Sequence, residues 1–162
     1  MVFSAIIVMV LANAQPPIDF RCDGLNVQSQ SGTSTCKGNV VVSRGDVLMC
    51  CDFFEAKAST DWNWERFKCT GNVRVRRGNE FVWANKAEFN LESSVITIRG
   101  GPLLERGLSL MTGEEVRIDI KQDRAQISKP RGRISRQDPA DTTAPTAPTL
   151  SKTCSIKERP DF

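Results

Sequence analysis

Strand-like alternation of apolar and polar positions marks two stretches of the chain. Val73 and Val75 alternate with Arg74 and Arg76, and Val40 and Val42 alternate with Val41 and Ser43. A period of two with β-branched residues on one face is the signature of a half-buried strand. The two stretches are copies of each other. Cys36-Lys37-Gly38-Asn39-Val40-Val41-Val42-Ser43-Arg44-Gly45 returns 33 residues later, from Cys69 to Gly78, and both follow the pattern C-x-G-N-V-x-V-x-R-G. A looser third copy runs from Ile98 to Gly107. The second half of each unit also recurs, with Leu48–Asp52 aligning with Phe81–Asn85 and Leu110–Glu114. Cys22-Asp23 matches Cys51-Asp52, and Ala125–Ser128 falls where the earlier copies begin. About three units with a partial unit at each end describe a stacked array with atypical terminal copies.

Each unit predicts strands. Gly45, Gly78 and Gly107 precede new apolar runs and occupy turns that need a positive φ. Further strands are expected at Ala87–Leu91, Val95–Ile98 and Val116–Ile120. Phe53–Lys57 has a helix-compatible composition, but its alignment with Ala87–Leu91 assigns it to a strand. Stacking the units gives vertical columns: Cys36, Cys69, Ile98 and Ile127; Val40, Val73 and Pro102; Val42, Val75 and Leu104; Met49, Val82 and Met111; Cys51, Ala84 and Gly113. These columns would line the inside of an elongated two-sheeted roll. Aromatics make up 7% of the chain and tyrosine is absent, so a shallow, slot-like interior is expected.

Composition sets the limits of the fold. Residues 1–14 read as a signal-peptide-like segment: Val2–Leu11 is apolar apart from Ser4, and the small-x-small run Ala12-Asn13-Ala14 follows. The apolar stretch is too short to span a membrane as a helix. Residues 18–129 carry the repeats. From 130 to 162 the chain is rich in Pro, Thr and Ala, and a disordered tail is expected there. A net charge of +3 is too small to argue for nucleic acid, and Arg74, Arg76 and Arg77 are expected to solvate an outer face. With no histidine, no nucleophile elbow and no Cys pair at zinc-ligand spacing, the chain is expected to be neither an enzyme nor a metal or cofactor protein. Six cysteines fit an oxidising compartment.

The run from Gly71-Asn72-Val73-Arg74-Val75 through Trp83-Ala84-Asn85-Lys86-Ala87-Glu88-Phe89-Asn90-Leu91 to Gly100-Gly101-Pro102 resembles the OstA-like family. That family comprises periplasmic lipopolysaccharide-transport proteins and includes LptA, LptC and the N-terminal domain of LptD. The similarity covers about Phe20 to Lys129. Asn85 stands where the family has Asp, and Phe89 where it has Tyr. The resemblance implies an all-β, antiparallel β-jelly-roll open at its ends, in an exported protein of the periplasm that associates with the inner or outer membrane. It also implies lipid A acyl chains held in an apolar groove and passed toward the outer membrane, with no cofactor. On that reading the groove is lined by Val40, Val42, Met49, Val73, Val75, Val82, Ala84, Ile98, Leu104, Met111 and Ile127. The implied partners are lipopolysaccharide or a related lipid, and other rolls of the same type joined by edge-strand pairing, including head-to-tail copies of this chain. The alternative is a structural β-repeat protein that assembles end to end without a lipid. Stacked strands lie about 4.8 Å apart, so the cysteine columns make Cys36–Cys69 or Cys22–Cys51 the expected disulfide, with buried free thiols as the alternative. Trp62-Asn63-Trp64, in the longest connection between units, is expected to pack over an end of the roll, with a membrane-interface or partner contact as the alternative.

Overall fold

The computed structural model describes residues 16–136 and 154–161. The expected signal-like segment 1–14 and most of the Pro/Thr/Ala-rich stretch (137–153) lie outside the described residues. Twelve strands follow in chain order: β1 (Ile18–Arg21), β2 (Gly24–Gln28), β3 (Thr33–Arg44), β4 (Val47–Ala58), β5 (Trp64–Arg77), β6 (Glu80–Asn90), β7 (Val95–Arg99), β8 (Leu103–Arg106), β9 (Ser109–Thr112), β10 (Glu115–Asp119), β11 (Arg124–Ser128) and β12 (Arg131–Arg133). Among the described residues all pairings are antiparallel and the sheet does not close on itself.

The repeated Gly-Asn pair is the device that folds this sheet in two. Gly38 and Asn39 have φ of 77° and 46°, and Gly71 and Asn72 have 81° and 45°. Two successive residues in the left-handed region cannot continue a strand. The β3–β4 ladder accordingly shifts register between Lys37 and Val40, and the β5–β6 ladder between Thr70 and Val73. These are β-bulges, which bend a strand sharply. Later units bend at Gly100-Gly101 (φ 84° and 65°) and at Lys129 (φ 46°). Opposite each bend stands an acidic or amide residue: Asp23, Asp52, Asn85 and Glu114. Asn39 Nδ2 donates to Asp23 Oδ2 at 2.8 Å, and Lys129 Nζ pairs with Glu114 at 2.7 Å.

The bends produce two facing half-sheets. The first runs β1, 40–44, 47–51, 73–77, 80–84, β8, β9, β12, and the second runs β2, 33–37, 53–57, 66–70, 86–90, β7, β10, β11. One long side is joined by the bends. Along the other, the hairpin turns of the two halves face each other as a mouth. The turn glycines Gly45, Gly78 and Gly107 have φ of 58°, 55° and 59°, as the sequence predicts.

Three of the five columns expected from the repeat run within two continuous ladders. Val42, Met49, Val75, Val82, Leu104 and Met111 are successive cross-strand neighbours in the first half-sheet. Cys36, Phe54, Cys69, Ala87, Ile98, Val116 and Ile127 are successive neighbours in the second. Both ladders belong to one apolar core between the halves.

The disulfide pairing differs from expectation. The bonds are Cys22–Cys36, Cys51–Cys69 and Cys50–Cys154, with Cα separations of 5.8, 5.7 and 5.9 Å. Neither Cys36–Cys69 nor Cys22–Cys51 forms. Each repeat contributes two strands, so equivalent residues of successive units are two strand spacings apart, about 9.6 Å. Phe54 of β4 lies between Cys36 and Cys69. The tail also departs from expectation: 131–133 form β12, and 154–161 lie as a strap across the outer face of the first half-sheet. Ile156 is buried there with Val41, Leu48 and Cys50. Arg74 Nη1 donates to the Ile156 carbonyl at 3.1 Å and pairs with Glu158 at 2.7 Å, and Trp83 Nε1 donates to the Lys157 carbonyl at 2.9 Å.

Candidate functional site

The trough between the half-sheets is apolar because every second residue of each strand points into it. All eleven expected lining residues face this space. Val40, Val42, Met49, Val73, Val75, Val82, Ala84, Ile98 and Leu104 are buried, while Met111 and Ile127 are partly buried against the same core. In the middle of the roll the halves touch closely. The void beside Val42 and Met49 measures only about 20 Å³.

Open volume lies at the N-terminal end. A cavity of about 440 Å³ is bounded by Pro16, Pro17, Ile18, Phe20, Leu25, Val27, Ser34, Cys36, Phe54, Ala56, Trp62, Trp64 and Phe67. That size is in the range of small-ligand sites, about 300–1,000 Å³. None of the eleven lining residues borders it. β1 and β2 pair with β3 on one side only, and Phe20, Leu25 and Val27 are about half exposed at 49%, 54% and 52%. Trp62 and Trp64 stand beside the opening and remain partly exposed, so the expected packing loop is a rim rather than a plug.

Aromatic side chains form the floor of the cavity. Phe54 and Phe67 have ring centroids 5.3 Å apart, Trp64 and Phe67 6.1 Å, and Phe67 and Phe89 6.4 Å. Sequence reading missed this row and expected a non-aromatic slot. Ala56, Phe67, Phe89 and Ile96 are cross-strand neighbours one rung nearer the mouth than the cysteine ladder. The signal lay in the period-two spacing Phe67-x-Cys69, which puts Phe67 two residues from a recognised column.

The polar boundary of the trough is its mouth. Arg44, two residues beyond Val42, projects inward with its guanidinium 5.3 Å from the Phe89 ring centroid, and burial lowers its pKa from the usual value. Arg77 Nη2 pairs with Asp123 Oδ1 at 2.6 Å and Arg77 Nε lies 3.6 Å from Asp46 Oδ2. The expectation that Arg74 and Arg77 solvate an outer face is corrected. Both side chains are only 15% exposed, Arg74 under the strap and Arg77 at the mouth. The site has a greasy interior with charged lips, suited to an amphiphile.

The family described as LptA/(LptD N-terminal domain) LPS transport protein matches residues 21–124. Two LPS-assembly proteins LptD, from Nitrosomonas europaea and Nitrosomonas eutropha, are 25% and 27% identical to the chain over 67 residues. The match spans 41% of this chain and 9% of the length of each LptD. Among solved structures, LptH of Pseudomonas aeruginosa, the LptA-homologous periplasmic component of a lipopolysaccharide transport device, superposes with a TM-score of 0.63 at 14% identity. The superposition covers 82% of this chain and 92% of LptH. At that identity the likeness establishes the shared fold.

Proposed function

The chain belongs to the LptA/LptD N-terminal-domain family of LPS transport proteins, and from that membership we propose that it holds the acyl chains of lipopolysaccharide between its half-sheets. It takes them up at the N-terminal cavity and passes them on toward the outer membrane. The observation that carries this reading is the apolar cavity of about 440 Å³ open between β1, β2 and the Trp62–Trp64 rim, continuous with the packed ladders of the trough. Transferring an acyl chain out of water is favourable by roughly 0.8 kcal/mol per CH₂, so a greasy slot suffices and no chemical step is needed. The eleven lining residues become the chain-contacting walls once the half-sheets part.

The periplasm is the compartment in which such a carrier works, and disulfides persist there. Partners follow from the edges. β1 and β2 at one end and β11 and β12 at the other each leave one side unpaired among the described residues. Such edges invite strand addition by another roll of the same type or by a second copy.

The test is displacement of a fluorescent fatty-acid probe from the purified chain by lipopolysaccharide. Stoichiometric displacement by lipopolysaccharide, and none by its delipidated polysaccharide, is the expected result. Failure of the probe to bind, or equal displacement by polysaccharide alone, would refute the reading.

A further inference from the structure

The repeat places an arginine at the same point of three units, and these arginines form a column along one lip of the trough. Arg44, Arg77 and Arg106 each come two residues after an inward residue (Val42, Val75, Leu104) and immediately before a positive-φ turn glycine. Alternation along a strand sends all three toward the inner face, at the mouth. Arg77 bridges that mouth. It belongs to the first half-sheet, whereas Asp123, 2.6 Å away, is in the turn between β10 and β11 of the second. Arg106 comes two strands further on, beyond Glu80, which lies between the two arginines and 3.3 Å from Arg106, itself 72% exposed. A polar cavity of about 380 Å³ adjoins the pair and is bounded by Arg77, Arg106, Asp46, Glu80 and Asp123.

The two sides of the bridge are unequal. The Arg77 side chain is 15% exposed, while Asp123 is 85% and Asp46 is 64% exposed. The cation is thus fixed and its carboxylate partners are loosely held in turns, where exposed ion pairs contribute little. A planar guanidinium fits carboxylate and phosphate alike in bidentate geometry, and a phosphate monoester brings about −1.5 to −2 of charge and three acceptor oxygens against the single charge of Asp123. We propose that Arg77 is the phosphate subsite for an anionic amphiphile whose chains occupy the trough, and that the Arg77–Asp123 bridge holds the mouth shut until that phosphate arrives. The incoming phosphate displaces Asp123 into water, which frees the two lips to part over the acyl chains. This rests on the acyl-chain reading above and adds the recognition of the headgroup to it.

The experiment compares two probes with identical acyl chains, bisphosphorylated lipid A and the same lipid A with both phosphates removed. Binding to the full chain is measured by displacement of the fluorescent fatty acid. The wild type should prefer the phosphorylated probe at least tenfold, and Arg77→Gln should abolish that preference. Asp123→Asn should do the opposite and tighten binding of both probes about threefold or more. The exchanged pair Arg77→Asp with Asp123→Arg rebuilds the bridge but moves the cation to an exposed turn, so stability should recover while the phosphate preference does not. Equal binding of both probes by the wild type would overturn the subsite and leave the acyl-chain reading intact. Loss of affinity in Asp123→Asn matching that in Arg77→Gln, or restored preference in the exchanged pair, would reduce the bridge to a structural brace. Binding of neither probe would refute the acyl-chain reading itself and the subsite with it.

Discussion

At Gly38 and Gly71 two constraints coincide. Both have φ near 80°, and a Cβ added at Gly71 would lie 2.8 Å from Asp52 Oδ2, as one at Gly38 would lie 2.6 Å from Asp23 Oδ2. Gly71→Ala should therefore destabilise the roll by about 1–3 kcal/mol. Gly24→Ala, where an added Cβ meets nothing within 4 Å, should leave stability within about 0.5 kcal/mol. Urea unfolding midpoints of the two variants check this, and equal midpoints would remove the bend from the account. The Gly-Asn pair was visible in the sequence as part of a repeated motif, but its role was not. A motif shows that two positions are alike, whereas the bend depends on φ values and on an acidic neighbour one strand away. The cysteines illustrate the same gap. Their shared columns were legible, yet the bonds join Cys22 to Cys36 and Cys51 to Cys69, because a 33-residue unit holds two strands and leaves column mates too far apart.

Among the elements, the strands were the most legible, since alternation of Val40 with Val42 and Val73 with Val75 specifies both a strand and its buried face. The strap was not. Ile156 and Cys154 sit in a polar context without periodicity, and nothing local in 154–161 announces that Val41, Leu48 and Trp83 await it on the far side of the sheet. Its hold is nonetheless specific. Besides the bond from Cys50 to Cys154, Lys157 pairs with Glu105 and lies 4.9 Å from the Phe81 ring centroid, and Arg159 Nη1 donates to the Gly101 carbonyl at 2.9 Å. Cys154→Ser combined with Ile156→Ala should free the strap and cost at least about 2 kcal/mol, the lower end for truncating a buried isoleucine. Trp83, buried with its indole N–H on the Lys157 carbonyl, should then emit at longer wavelength in a background where Trp62 and Trp64 are replaced by Phe. An unchanged emission maximum would mean that the strap does not cover Trp83.

At the scale of the whole molecule, the roll has a closed spine of bends, a mouth latched by Arg77 and Asp123, and an end left open beside Trp62 and Trp64. Trp64 is 41% exposed at the rim of the cavity, so Trp64→Ala should spare stability and weaken acyl-probe binding. About 1 kcal/mol of lost apolar contact corresponds to roughly fivefold in affinity, which titration of the fluorescent fatty acid measures directly. The central claim is that acyl chains enter between the half-sheets. Lipopolysaccharide carrying a photoreactive group at the end of an acyl chain tests this most directly, with labelled positions mapped by mass spectrometry. The account predicts labels on the inward residues Val27, Phe54 and Phe67, extending to Val82 as the lips part. Labels confined to the outward residues Glu55, Lys68 and Glu88 of the same strands would contradict it.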